Sequence, residues 1–177
     1  SASSGNALNK VLAIGKGIGY SYSGMISISY EEETELDLFI EHFIGPLFIG
    51  AVESSLKFLV DKGYSPIASA LELWMSGERG FMWSVYARDG LYKALKNNAS
   101  PTCKYGISSY MDETFNKELH RQMEKVVKSI KDGTFAANLD KEEQGGYKQV
   151  NDFFREKEKA FITETEKHVK KTLGDYI

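Results

Sequence analysis

LDLFIEHFIGPLFIGAV, residues 36–52, decides how this chain folds. Apolar residues fall on nearly every side of a helical projection, so most faces of such a helix must be covered. A chain of 177 residues can do this only at its centre or by sharing the helix with a second copy of itself. The run is broken by Asp37, Glu41 and His42 and carries Gly45-Pro46 in its middle. It therefore reads as a helix kinked or broken at Pro46 rather than as a membrane span.

Asp37 and Glu41 stand four apart, on one helical face. Like charges so placed repel by a few tenths of a kcal/mol when exposed, and burial raises the cost. A divalent cation is the simplest compensation, because a hard metal takes carboxylate oxygen. Capping is the alternative: Thr34 followed by Asp37 is a variant capping box, and acidic residues suit a helix start. Glu31-Glu32-Glu33 reads as a solvated acidic turn, and His42 as a core or interface histidine.

Working outward, residues 6–16 predict a short helix stopped by glycines 15, 17 and 19. GKGIG lacks the spacing and the preceding strand of a dinucleotide-binding turn. MISISYEE (25–32) alternates, predicting a short strand or extended connector, with a helix starting near Thr34. Lys62-Gly63 stops that helix near Asp61, and Ser65-Pro66 opens the next as N-cap and first helical position. That region is expected to reach about Ala87 with interruptions near Gly77 and Gly80, then a turn at Asp89-Gly90 and a short helix over 91–97. NNASPTCKYG (97–106) and NLDKEEQGGYKQ (138–149) read as loops, 111–133 as an amphipathic helix closed by Gly133, and the C-terminus as one or two helices. The fold class is all-α.

Composition fixes some boundaries. A net charge of −3 gives no nucleic-acid footprint. Cys103, the single cysteine, excludes an intramolecular disulfide and fits a reducing, cytoplasmic setting; with no nearby histidine it is a poor nucleophile. SASSGNA lacks the basic and apolar regions of a signal peptide, and His42, His120 and His168 form no zinc spacing. Glu72, between apolar neighbours, is either a further metal ligand or a surface group; Glu78-Arg79 reads as a local charge pair.

These pieces together resemble the C-terminal part of ketol-acid reductoisomerase. EEETELDLFIEH (31–42) is similar to the family's E-E-T-E-T-D-L-F-G-E-Q, the most specific match. LVDKGYSPIASALE (59–72) resembles L-V-E-A-G-Y-S-P…F-E, SPTCKYG (100–106) resembles S-x-T-A-x-Y-G, and IKDGTFA (130–136) resembles I-x-x-G-x-F-A. SGNALNKVLAIGKGIG resembles the last helix of the family's nucleotide-binding domain, and EKHVKKTLG its final helix.

The resemblance implies an intertwined helical domain of the 6-phosphogluconate dehydrogenase C-terminal-like kind. Residues 1–30 would be the tail of a nucleotide-binding domain plus connector, and 31–177 a metal-binding and dimerisation domain. It further implies two Mg²⁺ ions held by Asp37, Glu41 and Glu72, with substrate contact at Ser100 and Glu72. The second-helix ligands would come from the partner of a homodimer. NADPH would enter through an N-terminal domain, for reduction of a 2-acetyl-2-hydroxy acid in branched-chain amino acid biosynthesis. The family's further glutamate, four residues after Glu72, is Ser76 here; Glu78 takes its place if the helix carries a two-residue insertion. Ile40 replaces the glycine before the first metal glutamate. No phosphate-binding loop is present, so the chain alone is expected to be inactive, as a piece of a two-domain protein. The alternative is a non-catalytic helical dimerisation domain of a diverged paralogue with a decayed metal site.

Overall fold

The computed structural model describes residues 5–20, 24–114 and 117–174, which form eleven α-helices and no strand. Two compact units are present, residues 1–36 and 37–177. In the first, α1 (Ala7–Gly17) buries Gly15 where an added Cβ would lie 2.6 Å from the Met25 sulfur. Residues 24–29 connect α1 to the next helix without regular secondary structure.

Helix α2 (Tyr30–Phe39) starts four residues before Thr34. Ser29 Oγ accepts the Glu32 amide at 3.0 Å and the Ser29 carbonyl accepts the Glu33 amide at 3.1 Å. Ser29-x-x-Glu32 is thus the helix-start signal, and the three glutamates occupy the first turn, where the macrodipole favours negative charge.

Pro46 does not break the helix. A π turn, Ile40–Ile44, runs directly into α3 (Gly45–Asp61), and the Gly45 amide reaches back five residues to the Ile40 carbonyl. Helix α3 ends as its sequence predicts. Gly63, at φ +91°, donates to Val60 O and the Tyr64 amide to Leu59 O, the paired bonds of a Schellman close.

Ser65 Oγ accepts the Ala68 amide and starts α4 (Pro66–Ala70). A second π turn comes next, Leu71–Met75, closed by Ser76 N–H on Leu71 O. In an α-helix Ala70 and Met75 would diverge; a π turn, with roughly 4.4 residues per turn, brings residues five apart onto one side. Both are buried there with Val169, beside Ile67, Leu71 and Trp74. Gly77, at φ +74°, separates this turn from α5 (Glu78–Asp89), which runs through Gly80 uninterrupted, and α6 (Leu91–Asn98) comes after the turn at Gly90.

Two expected loops are helices. Ser100-Pro101 opens α7 (Pro101–Thr114) with the cap logic of Ser65-Pro66, the Ser100 hydroxyl accepting the Cys103 amide at 3.2 Å. Residues 138–144 belong to α9 (Thr134–Gln144), which lacks a clean apolar stripe and so escapes periodicity. The amphipathic segment divides between the end of α7 and α8 (Lys117–Lys131), with residues 115–116 outside the described set. The C-terminus supplies α10 (Lys148–Lys157) and α11 (Phe161–Leu173).

In the second unit α11 packs on α3 and α4, and α8 on the Ile40–Ile44 turn. The interior is small. Buried apolar side chains among the described residues are Phe43, Leu56, Ala70, Met75, Val85, Ala94 and Val169. Of residues 36–52 only Phe43 is buried, while Ile49 is 63% exposed. Tyr30–Asp61 is long and apolar enough to cross a membrane by length and composition, with 11% of its most apolar window buried.

Candidate metal centre

Asp37 lies on the third turn of α2 and Glu41 is the second residue of the first π turn. Both are exposed, so neither carries the burial cost that the surrounding apolar sequence predicts. Glu72 is likewise the second residue of its π turn and exposed. Two of the expected ligands therefore occupy the rarest of the helical hydrogen-bond patterns, which recurs at functional sites.

Glu78 is the first residue of α5, also exposed; its amide is 3.4 Å from Ser76 Oγ. The path from Glu72 to Glu78 holds a π turn and a glycine turn. Because the π turn lies between them, Ser76 does not sit one α-turn above Glu72. Between Glu72 and Glu78 the chain departs twice from regular α geometry, at the Leu71–Met75 π turn and at Gly77.

The four carboxylates share one property: among the described residues none has an ion-pair partner. The donor set is all hard oxygen, which fits Mg²⁺ and not a soft metal. No three acidic, histidine or cysteine side chains among the described residues converge as a metal site.

Ser100 is exposed and its hydroxyl is engaged with the Thr102 hydroxyl at 2.9 Å and with the Cys103 amide. It serves as the cap of α7, a role that its Ser-Pro context signals. His42 fits the reading of a core or interface residue. Its ring lies 4.0 Å, centroid to centroid, from Phe135, and its buried Nδ1 has no hydrogen-bond partner among the described residues. Sequence reasoning missed both π turns. Pro46 signals the first; five-residue spacing of Ala70 and Met75 is the only trace of the second.

The class defined here is an all-helical domain that presents hard carboxylates on and beside two π turns and leaves a broad apolar surface open. Comparison with known proteins gives that class its family. The pattern of the ketol-acid reductoisomerase C-terminal domain matches residues 30–174. A ketol-acid reductoisomerase (NADP(+)) of Methanocaldococcus jannaschii is 30% identical over 173 residues, covering 96% of this chain and 51% of that protein. One from Saccharolobus islandicus is 34% identical over 137 residues, covering 75% and 39%. The structure of an NADH-preferring ketol-acid reductoisomerase from an uncultured archaeon superposes with a TM-score of 0.86 at 20% identity, over 97% of this chain and 51% of the other, and so shares the fold. The chain belongs to the ketol-acid reductoisomerase C-terminal domain family, and it spans about half the length of the relatives it matches.

Proposed function

We propose that this chain is the metal-binding and dimer-forming half of a ketol-acid reductoisomerase. The observation that carries this reading is the set of four exposed carboxylates, Asp37, Glu41, Glu72 and Glu78, without cation partners among the described residues. Family membership supplies the context for them.

The dimer rests on a second observation. Residues 36–52 are apolar yet bury only Phe43 within the chain. A second copy covers this surface and brings its Glu72 and Glu78 to the first copy's Asp37 and Glu41. Lipid is the poorer cover, since Asp37 and Glu41 would each cost about 3 kcal/mol at mid-bilayer. We accordingly take the protein to be soluble and cytoplasmic. Residues 1–30 would be the tail of a nucleotide-binding domain plus connector, and NADPH would be bound by that domain.

Mg²⁺ held by Asp37, Glu41, Glu72 and Glu78 would supply Lewis-acid polarisation of a substrate carbonyl. The chain's own residues bind and orient. Asp37 and Glu41 provide one pair of hard donors, and Glu72 and Glu78 the other. Glu72, the carboxylate matching the family's second-helix motif, would hold or pass the proton. Ser100, in the reading inherited from its loop motif, positions the substrate by a hydroxyl hydrogen bond. NADPH, held by the nucleotide-binding domain, would supply the hydride for the reductive half of the reaction.

Ser76 favours a second reading, a dimerisation module whose metal site has decayed. Calorimetric titration of Mg²⁺ into the protein and its Asp37→Asn variant separates the two. Saturable binding lost in the variant supports the metal-binding domain; no binding by either supports the decayed site.

A further inference from the structure

We propose that Pro46 is a positioning residue: by enforcing the Ile40–Ile44 π turn it sets the direction in which Asp37 and Glu41 point. This rests on the metal-binding reading above.

The local chemistry dictates the turn. A proline inside a helix has no N–H for the carbonyl four residues back, and its ring presses on that carbonyl. For Pro46 the carbonyl is that of His42. The chain answers by widening the turn, with the Gly45 amide bonded to Ile40 O, five residues back. The turn ends at Ile44, and Pro46 stands at the start of α3. The second π turn, around Glu72, contains no proline and is explained by burial of Ala70 and Met75. The two turns thus have different causes, and only the first depends on one side chain.

The consequence falls on the carboxylates. A π turn inserts one residue without adding a turn, which rotates the helix on its N-terminal side by roughly 100° relative to the helix on its C-terminal side. The C-terminal side is anchored: Leu56 on α3 is fully buried, and Phe43, inside the turn, is 7% exposed. With that side fixed, reversion to α geometry would swing Asp37 about the helix axis and change its bearing to Glu41. Gly45 is not the cause, because a Cβ there would meet only Ile40 O at an ordinary 3.8 Å.

The test is a crystal structure of Pro46→Ala together with Mn²⁺ binding by calorimetry, for wild type, Pro46→Ala and Gly45→Ala. The proposal expects uninterrupted α geometry over 40–50 in Pro46→Ala, Mn²⁺ affinity lowered about 10- to 100-fold as for loss of a ligand-orienting group, and wild-type affinity in Gly45→Ala. A Tm that holds or rises in Pro46→Ala shows that the loss is not one of folding. Pro46→Ser restores the same amide and stands in if the alanine variant is insoluble. A π turn that persists in the variant, or α geometry with unchanged affinity, or equal loss in Gly45→Ala, overturns the proposal while leaving metal binding intact. Absence of Mn²⁺ binding by wild type overturns the metal-binding reading itself and this proposal with it.

Discussion

Lys157 on α10 donates to both carboxylate oxygens of Glu53 on α3, at 2.8 and 3.0 Å, joining positions 104 residues apart. The ammonium also lies 5.7 Å from the centre of the Phe153 ring. The hydrogen bond to Glu53 raises the lysine above its ordinary 10.5, against a smaller opposing effect of desolvation. A raised folded-state value means the stabilisation is complete below the unfolded lysine value and is lost as pH rises through the folded one. Both side chains are about one-third exposed, so water screens the pair. Lys157→Met should lower Tm by a few degrees at neutral pH, and thermal melts should show the difference from wild type shrinking above about pH 10.5.

Leu56 is the largest of the wholly enclosed side chains among the described residues, followed by Val169. Leu56→Ala removes apolar contacts from α3 and leaves a void against its neighbours. The expected cost is about 2–5 kcal/mol by urea denaturation. A cost below about 1 kcal/mol would show that the site collapses around the smaller residue.

His42 presents a buried Nδ1 with no hydrogen-bond partner among the described residues, beside Phe135. An unsatisfied buried polar atom costs about 1–3 kcal/mol. His42→Leu keeps the apolar contact and removes the orphan, so stability should rise by about 1 kcal/mol. A fall in Tm would show that this nitrogen finds a partner in the assembled protein.

Ser100 carries two roles, cap of α7 and proposed substrate contact. Ser100→Ala should cost about 1 kcal/mol in thermal stability through the lost cap. Ser100→Asp retains a capping oxygen and should recover that stability. Substrate affinity in the full enzyme should fall in both variants, since the aspartate adds charge where a neutral hydroxyl is needed.

Several helix ends were legible from the side chain or glycine that makes them. Ser65-Pro66, Lys62-Gly63 and Gly133 all act as their residue types predict. Ser100-Pro101 carries the same signal as Ser65-Pro66, but its Asn-rich approach and nearby glycine disguise it as a loop. Ser29 was obscured by the alternating residues before it, which mimic a strand yet have no strand to pair with among the described residues. The π turns were illegible for a deeper reason. Periodicity assumes a constant number of residues per turn, and the carboxylates of interest sit where that number changes. The exposure of Asp37 and Glu41 also ran against their apolar surroundings, because the apolar residues around them are themselves mostly uncovered within one chain.

The central claim is that two copies build each metal centre, Asp37 from one and Glu72 from the other. Mixing Asp37→Asn and Glu72→Gln chains, unfolded and refolded together, tests it directly by Mg²⁺ calorimetry. Each variant alone should bind no Mg²⁺ at the site. In the mixture half the dimers are hybrid and each hybrid holds one intact site, so binding should return at about a quarter of the wild-type stoichiometry. No recovery in the mixture, with hybrids confirmed by mass, would contradict the account.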